Sequence, residues 1–338
     1  MKKCSIKIKG AFKDEIFNLN SPLNRDNGFY PLVMLRDYFL KKNIIIHTAD
    51  LNFDTAVGFE LHVDVQKVNP KIPSYLVMLE TPQIWPDNEN KKKLNLYRKV
   101  FTWNDALVDS NRFVKINFPT LFHHQTPSGF LGRDKFCCII SGNKSLAKNV
   151  KNNLYPERVD VIRWFEKNAP EYFDLYGVDW DIPVMKSGLI GKLERKAMKF
   201  LSPFLSNTPF PSYRGRLVCK SEILKKTKFS FCYENISDLP GYVSEKIFDC
   251  FFSGCVPVYW GAINISNLIP EECFIDRRNF GSTEEVFSFL KNITEEEYVE
   301  YQKSINKFLL SEMAYQFSPE FFANTIVDTV TKDFESLA

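Results

Sequence analysis

No stretch of this 338-residue chain approaches the roughly 18 uninterrupted apolar residues of a membrane-spanning helix, so the reading excludes a transmembrane protein and leaves open only contact at a membrane surface. The N-terminal segment MKKCSIKIKGAF lacks the apolar run of a secretion signal, because Lys7, Lys9 and Lys13 interrupt it. Charge of either sign is not in excess: 44 Lys plus Arg against 41 Asp plus Glu leave +3, which gives no electrostatic case for nucleic acid as a partner. No CxxC pair occurs among the eight cysteines, which sit mostly in apolar runs such as FCCII and FSFCY and read as reduced core thiols of a cytoplasmic protein. The sequons that begin at Asn143, Asn235, Asn264 and Asn292 are then chance matches. GxGxxG, GxxxxGK[ST], HExxH and GxSxG are all missing, which removes the main support for dinucleotide oxidoreductases, P-loop proteins, zinc proteases and α/β-hydrolases.

What is present is an ordinary globular composition, 44% hydrophobic and 25% charged, with enough length for about two domains. The 31 Phe, 14 Tyr and 5 Trp point to a core rich in phenylalanine, with sugar-stacking surfaces as the alternative. Short apolar runs alternate with segments of helical period, which favours an α/β chain. Strands are expected near Ser5 to Lys9, Ile44 to His47, Ala56 to Val63, Tyr75 to Leu79 and Val114 to Asn117, with a helix over Tyr30 to Lys41. The alternation restarts with a strand at Phe136 to Ser141 and a helix from Glu157 to Asn168. Strands follow at Phe173 to Tyr176, Phe229 to Glu234, Val256 to Trp260 and Phe274 to Asp276. Thr120 to Arg133, with His123, His124 and Pro127, reads as a linker or substrate loop, and Lys192 to Asn207 as a loop between elements. Glu295 to Leu310 and Ser318 to Phe334 read as closing helices, the second with Ser318 as N-cap and Pro319 at its first position. These readings divide the chain into 1–134, 135–315 and a final helical segment 316–338 that packs back on the first domain.

The informative stretch is FSFCYENISDLPGYVSEKIFDCFFSGCVPVYWG, residues 229–261, a strand, loop, helix and strand. The strand delivers Glu234 and Asn235 at its carboxyl end, where α/β sheets bind ligands. Ser244 is a plausible N-cap that sets Glu245 and Lys246 in the first helical turn, where free N–H groups and the helix dipole attract anions. The bland alternative is a solvated helix start. Asp179-Trp180-Asp181 formally matches the DxD by which many sugar transferases hold a metal, but as a bare triplet it reads equally well as a solvated turn.

The order YEN, GYVSEK, VPVYWG over this spacing closely resembles the donor-binding motif of the α-1,3-fucosyltransferases, glycosyltransferase family 10. SYRGRLVCKSEIL, SGNKS, YPERVDVIRWFEK, FDLYGVDWD and CFIDRRNF extend the likeness across most of residues 135–280, in the manner of bacterial members, and SYLVMLETP, residues 74–82, carries a fainter one. The resemblance implies a GT-B arrangement of two Rossmann-like domains facing across a cleft, the first for the acceptor and the second for GDP-fucose. It implies an inverting transfer of fucose to an acceptor hydroxyl, taken as O3 of a GlcNAc unit in an N-acetyllactosamine-type glycan of the Lewis kind.

Carried over residue by residue, the resemblance makes Glu80 the general base and Arg158 a partner of the diphosphate, with Arg163 the weaker choice. It adds Tyr213, Glu234, Asn235, Tyr242, Glu245 and Lys246 to the donor site, Lys246 on phosphate and Glu245 on the ribose or fucose side. Glu60, Asp64 and Asp87 are the reserve candidates for the base. The scheme requires no metal, with a divalent cation at most stimulatory. The heptad repeats and basic amphipathic tail of some bacterial members are missing, which removes their support for membrane attachment and repeat-driven dimerisation and leaves only peripheral contact at the inner face of the membrane open. The alternatives are a transferase for another GDP-sugar or acceptor position, and a nucleotide-sugar-binding protein without turnover.

Overall fold

The structure is a computed structural model that describes residues 1–22, 24, 27–51, 57–109, 111–122, 129–146, 150–201 and 208–337. In chain order the elements are β1 (Lys2–Lys7), α1 (Tyr30–Lys41), β2 (Ile44–Thr48), β3 (Phe59–Val63), β4 (Ser74–Met78), α2 (Lys91–Leu94), β5 (Val100–Thr102), β6 (Phe113–Lys115), β7 (Lys135–Ile140), α3 (Tyr155–Asn168) and β8 (Phe173–Tyr176). They continue with α4 (Gly188–Leu201), α5 (Lys220–Leu224), β9 (Thr227–Tyr233), α6 (Glu245–Phe252), β10 (Val256–Trp260), β11 (Ile275–Asp276), α7 (Thr283–Asn292), α8 (Glu295–Leu309), α9 (Glu312–Tyr315) and α10 (Pro319–Glu335). The chain forms two compact units. The first comprises Met1–Phe122, Pro240–Tyr242 and Glu312–Ala338, the second His123–Leu239 and Val243–Ser311. The sequence reading set its boundaries at 134/135 and 315/316; contacts set them at 122/123 and 311/312, and assign Pro240–Tyr242 to the first unit.

The first unit holds a parallel sheet in the order β2-β1-β3-β4-β5-β6. Every position of β3 and β4 is buried, as strands covered on both faces require, whereas the edge strand β2 alternates. Phe59 centres one face, its ring 5.9 Å from Phe39 of α1, 5.6 Å from Tyr75 and 5.1 Å from Phe334 of α10. Phe322, Ile326 and Val327 of α10 join that core. This helix opens as its sequence suggests, the Ser318 hydroxyl accepting from the Phe321 amide. Near its end Asp333 accepts from the Tyr75 hydroxyl at 2.8 Å and from Arg98 Nε at 2.6 Å. Leu76, Met78, Leu94, Tyr97 and Val100 fill the opposite face.

The second unit holds the parallel sheet β11-β10-β9-β7-β8. Its core takes up the aromatics: Phe165 stacks on Phe173 at 4.8 Å, and Phe136, Phe229, Phe231, Phe287 and Tyr298 pack around them. Of the stretch read as a linker, residues 129–133 are anchored: the buried Arg133 donates to the carbonyls of Gly129, Leu224, Thr227 and Ser253. Ala56, where a strand was expected to start, and His123, His124 and Pro127 lie outside the described residues.

Several elements differ from the reading. The basic segment from Lys192 was expected to be a loop; α4 runs from Gly188 to Leu201, with the expected end, Asn207, outside the described residues. Asp179 receives Arg195 at 2.9 Å and Lys199 at 2.6 Å, which ties one helical face down while Leu193 remains exposed. The short β5 and the helices α2, α5, α7 and α9 were not anticipated. All eight cysteines are free thiols, seven of them buried. Among the described residues no helix is long and apolar enough to cross a membrane.

Fully buried His62 on β3 sits 3.0 Å from Glu60 Oε2 and 2.9 Å from the Tyr97 hydroxyl. Burial holds its pKa below the ordinary value, outweighing the attraction of Glu60. The unfolded chain therefore takes up this proton first, and stability present above about pH 6.5 is lost as pH falls below it. The thermal midpoint is expected to drop between pH 7 and pH 5, and His62→Gln to flatten that slope. An unchanged slope in a folded His62→Gln protein, followed by calorimetry, would show that His62 does not carry the dependence.

Candidate active site

In doubly wound sheets ligands settle beyond the carboxyl ends of the strands, where the strand order reverses. In the second sheet that point lies between β7 and β9. Beyond β9 comes Glu234, with no exposed surface, a position a carboxylate tolerates only when compensated. Its Oε1 accepts from the Ser244 amide at 2.8 Å, and its two oxygens accept from the Ser244 hydroxyl at 2.9 and 2.8 Å. Lys246 Nζ lies 3.1 Å from Oε2 and 2.8 Å from the Ser244 hydroxyl. Ser244 is the N-cap of α6, as expected, but its hydroxyl makes no cap bond; the buried carboxylate takes it instead. Gly261 makes room for this arrangement, because a Cβ there would come within 2.5 Å of Glu234 Cγ and 2.3 Å of the Tyr259 hydroxyl.

The helix α6 forms because Ile247, Phe248, Cys250 and Phe251 bury its apolar face. Its first turn carries Glu245 and Lys246. Burial disfavours the charged form of Glu245, but Lys246 and Lys220 outweigh it and hold its pKa below the ordinary value. Lys220 also pairs with Asp249 at 2.8 Å. Neither Lys220 nor Asp249 was foreseen, since nothing in their local sequence links α5 to α6.

Arg158 is buried at the start of α3, and its Nη2 donates to the carbonyls of Tyr233 and Glu234, both at 2.7 Å, and to Asn235 Oδ1 at 3.1 Å. Arg158, Glu234, Asn235 and Lys246 thus meet at the end of β9. Arg163 turns elsewhere, to Glu166 and the Pro209 carbonyl, over the Phe210 ring. Tyr213 donates from its hydroxyl to the Gly177 carbonyl at 2.8 Å. Of the DxD triplet, Trp180 is buried and donates to the Ser141 carbonyl, while Asp179 is engaged by Arg195 and Lys199. Among the described residues no group of three or more His, Cys, Asp or Glu is arranged to hold a metal.

In the first unit Tyr242 is buried, its ring 4.8 Å from that of Trp103. The preceding Gly241, at φ +85°, approaches Trp103 so closely that a Cβ would fall 2.2 Å from its carbonyl oxygen. Glu80 follows β4, with its amide donating to Asp64 Oδ1 at 2.9 Å and its carbonyl accepting from Asn88 Nδ2 at 2.9 Å. Of the reserve acids, Glu60 pairs with Lys7 and His62, and Asp87 with Lys93.

The pairing of Lys246 with Glu234 sets a stability test. Lys246→Ala strands a buried carboxylate and is expected to cost about 3 kcal/mol, the low end for a broken buried pair because the lysine side chain keeps 24% of its surface. Adding Glu234→Gln should recover part of that loss, measured by urea unfolding. Strictly additive single and double variants would show that the two residues do not interact.

Residues 208–324 match the model of the glycosyltransferase family 10 (fucosyltransferase) C-terminal part. An alpha-(1,3)-fucosyltransferase FucT of Helicobacter pylori is 35% identical over 72 residues, 21% of this chain and 15% of that protein. An alpha-(1,4)-fucosyltransferase of Arabidopsis thaliana is 37% identical over 76 residues, 22% of this chain and 19% of that protein. The matched stretch thus spans less than a fifth of each relative. In fold, the chain is similar to a crystal structure of an alpha1,3-fucosyltransferase with GDP, at a TM-score of 0.54 and 15% identity, covering 96% of this chain and 88% of that one. The two parallel α/β sheets are those of the GT-B class. Over residues 208–324 the chain is thus similar to the C-terminal part of glycosyltransferase family 10 (fucosyltransferase).

Proposed function

We propose that the protein is an inverting fucosyltransferase that moves fucose from GDP-fucose to a glycan hydroxyl, O3 of a GlcNAc unit being the first choice. The carrying observation is Lys246, held by Glu234 and Ser244 at the first turn of α6, beside the reversal of the second sheet and inside the family-matched segment. A diphosphate at that turn would meet the α6 amides and the Lys246 ammonium, with the Arg158 charge at the neighbouring strand end. Asn235, Tyr213, Tyr242 and Glu245 complete the proposed donor set.

In the proposed reaction the acceptor oxygen attacks the anomeric carbon as its bond to the phosphate oxygen breaks. GDP leaves, and the hydroxyl proton passes to Glu80. A one-step displacement needs a base and no enzyme nucleophile. Lys246, Arg158 and the helix dipole offset the charge that grows on the leaving diphosphate, so the scheme calls for no metal; rates with and without added divalent cation read any stimulation. The eight free thiols accord with a cytoplasmic setting.

The direct test incubates the protein with GDP-fucose and lactose, N-acetyllactosamine or its β1,3-linked isomer, and follows mass gain and linkage. Release of GDP with an α1,3-fucosylated product is expected. An α1,4 product would move the acceptor assignment alone, whereas GDP binding without transfer to any acceptor would sink the catalytic reading. Lys246→Ala should weaken GDP by about 10-fold to 150-fold, the loss of one charge-assisted bond of about 1.5 to 3 kcal/mol. Equal affinity in the folded variant, by calorimetry, would remove Lys246 from the phosphate. Glu80→Gln should lower turnover by about 10² to 10⁴ with GDP affinity unchanged. Retention of more than about a tenth of the rate would remove Glu80 as the base.

A further inference from the structure

Beyond Met78 the chain leaves the β4–β5 ladder, whose last paired residues are Met78 and Thr102. The amides of Leu79 and Glu80 therefore need another acceptor. They find one in a single buried side chain. Asp64, one residue past β3, has a left-handed backbone at φ +53°, and its Oδ1 accepts from the amides of Leu79 at 3.0 Å and Glu80 at 2.9 Å. The same oxygen accepts from Asn88 Nδ2 at 2.8 Å. That nitrogen also donates to the Glu80 carbonyl at 2.9 Å, and Asn88 Oδ1 accepts from the Val65 amide at 3.0 Å. Trp103 Nε1 closes the set on the Leu79 carbonyl at 3.0 Å. The amide and the carbonyl of Glu80 are thus both held by buried side chains, and Asn88 braces the acid that holds them.

We propose that Asp64, braced by Asn88, is the positioning residue for Glu80: it fixes the peptide that carries the base and thereby the direction in which the base addresses the acceptor hydroxyl. The inference rests on the assignment of Glu80 as general base. A loop end of this kind could be secured by backbone bonds alone. Using a buried carboxylate is costly, and its reach to two consecutive amides fixes a peptide plane more tightly than one bond would. Burial raises the pKa of Asp64, partly offset by the bonds from Glu80, Asn88 and Leu79. Among the described residues no ionisable side chain donates to it; the titratable neighbours on β3, Glu60 and His62, are engaged with Lys7, Tyr97 and each other. The hold on Glu80 is charged when Asp64 is ionised and slackens as it protonates. Since Glu80 itself must be ionised to act, its own protonation adds to the acid limb of the rate profile. Glu80 and Asp64 are therefore told apart by kinetics rather than by one pKa.

The experiment uses the full chain with GDP-fucose and whichever acceptor the panel identifies. Asp64→Asn keeps the shape and an accepting oxygen but not the charge, and Asn88→Ala removes the brace. Each is expected to lower kcat by about 10-fold to 100-fold, the scale of a misplaced catalytic group, with GDP affinity unchanged. A residue that acts through Glu80 has nothing left to act on once Glu80 is gone. Glu80→Gln with Asp64→Asn should then be no slower than Glu80→Gln alone. A structural role would instead multiply the two losses and lower the thermal midpoint together with GDP binding. Multiplied losses, or Asp64→Asn at the wild-type rate, overturn the proposal. A severe Asp64→Asn beside a mild Glu80→Gln overturns it in a different way, by making Asp64 the base. Glu80→Gln at the full rate, with transfer intact, shows that the assignment of the base has failed beneath it.

Discussion

A carboxylate without exposed surface, Glu234, governs the end of β9 and everything built there. Burial of that charge is tolerable only because the Ser244 amide and hydroxyl and the Lys246 ammonium converge on it. The same bonds decide where α6 begins. They draw the Ser244 hydroxyl away from capping, and they bring Lys246 to the first turn as part of a buried pair rather than as a solvated side chain. Gly261 belongs to the same constraint, because a side chain there would occupy the space of Glu234 and Tyr259.

The first unit solves a related problem in a different way. Where β4 runs out of ladder partners, Asp64 supplies one oxygen to two successive amides and to Asn88. Both units thus use a buried acid just past a strand to organise the chain that follows. In the second unit that acid is matched by a lysine; in the first it is matched by amides alone. Burial disfavours the charged form of Asp64, and the amide bonds offset only part of that effect. The pairing with Lys246 instead leaves Glu234 inside a network of opposite charge.

Much of the fold was legible because short apolar runs alternating with helical-period segments allow few readings other than a covered parallel sheet. The helix Tyr30–Lys41 and the strands Phe173–Tyr176 and Val256–Trp260 stand where the pattern set them. The short strand Val100–Thr102 could not be seen, since three residues give no period. The helix Gly188–Leu201 overlaps the stretch from Lys192 that reads as a loop. Leu193, Ala197 and Leu201 recur at helical spacing and were a signal for the helix, whereas Asp179, which holds Arg195 and Lys199, comes from the preceding loop. The candidate residues at 234–246 were legible as a motif. Lys220, which α5 brings to Asp249 of α6, and Asn88, which a separate turn brings to Asp64 and Glu80, were not.

The amino-acid order determined the two α/β units, the aromatic character of the second core and the identity of the groups near the end of β9. Those features follow from periodicity, strand propensity and local spacing, which act within a few turns of chain. Tertiary structure alone decided that Pro240–Tyr242 belong to the first unit, that Arg158 spends Nη2 on the carbonyls of β9, and that Asp64 rather than a ladder partner receives the amides of Leu79 and Glu80. Each of these is the settlement of a buried polar group. Such a group takes whichever partner the packed chain brings within hydrogen-bond reach, and sequence separation says nothing about that distance.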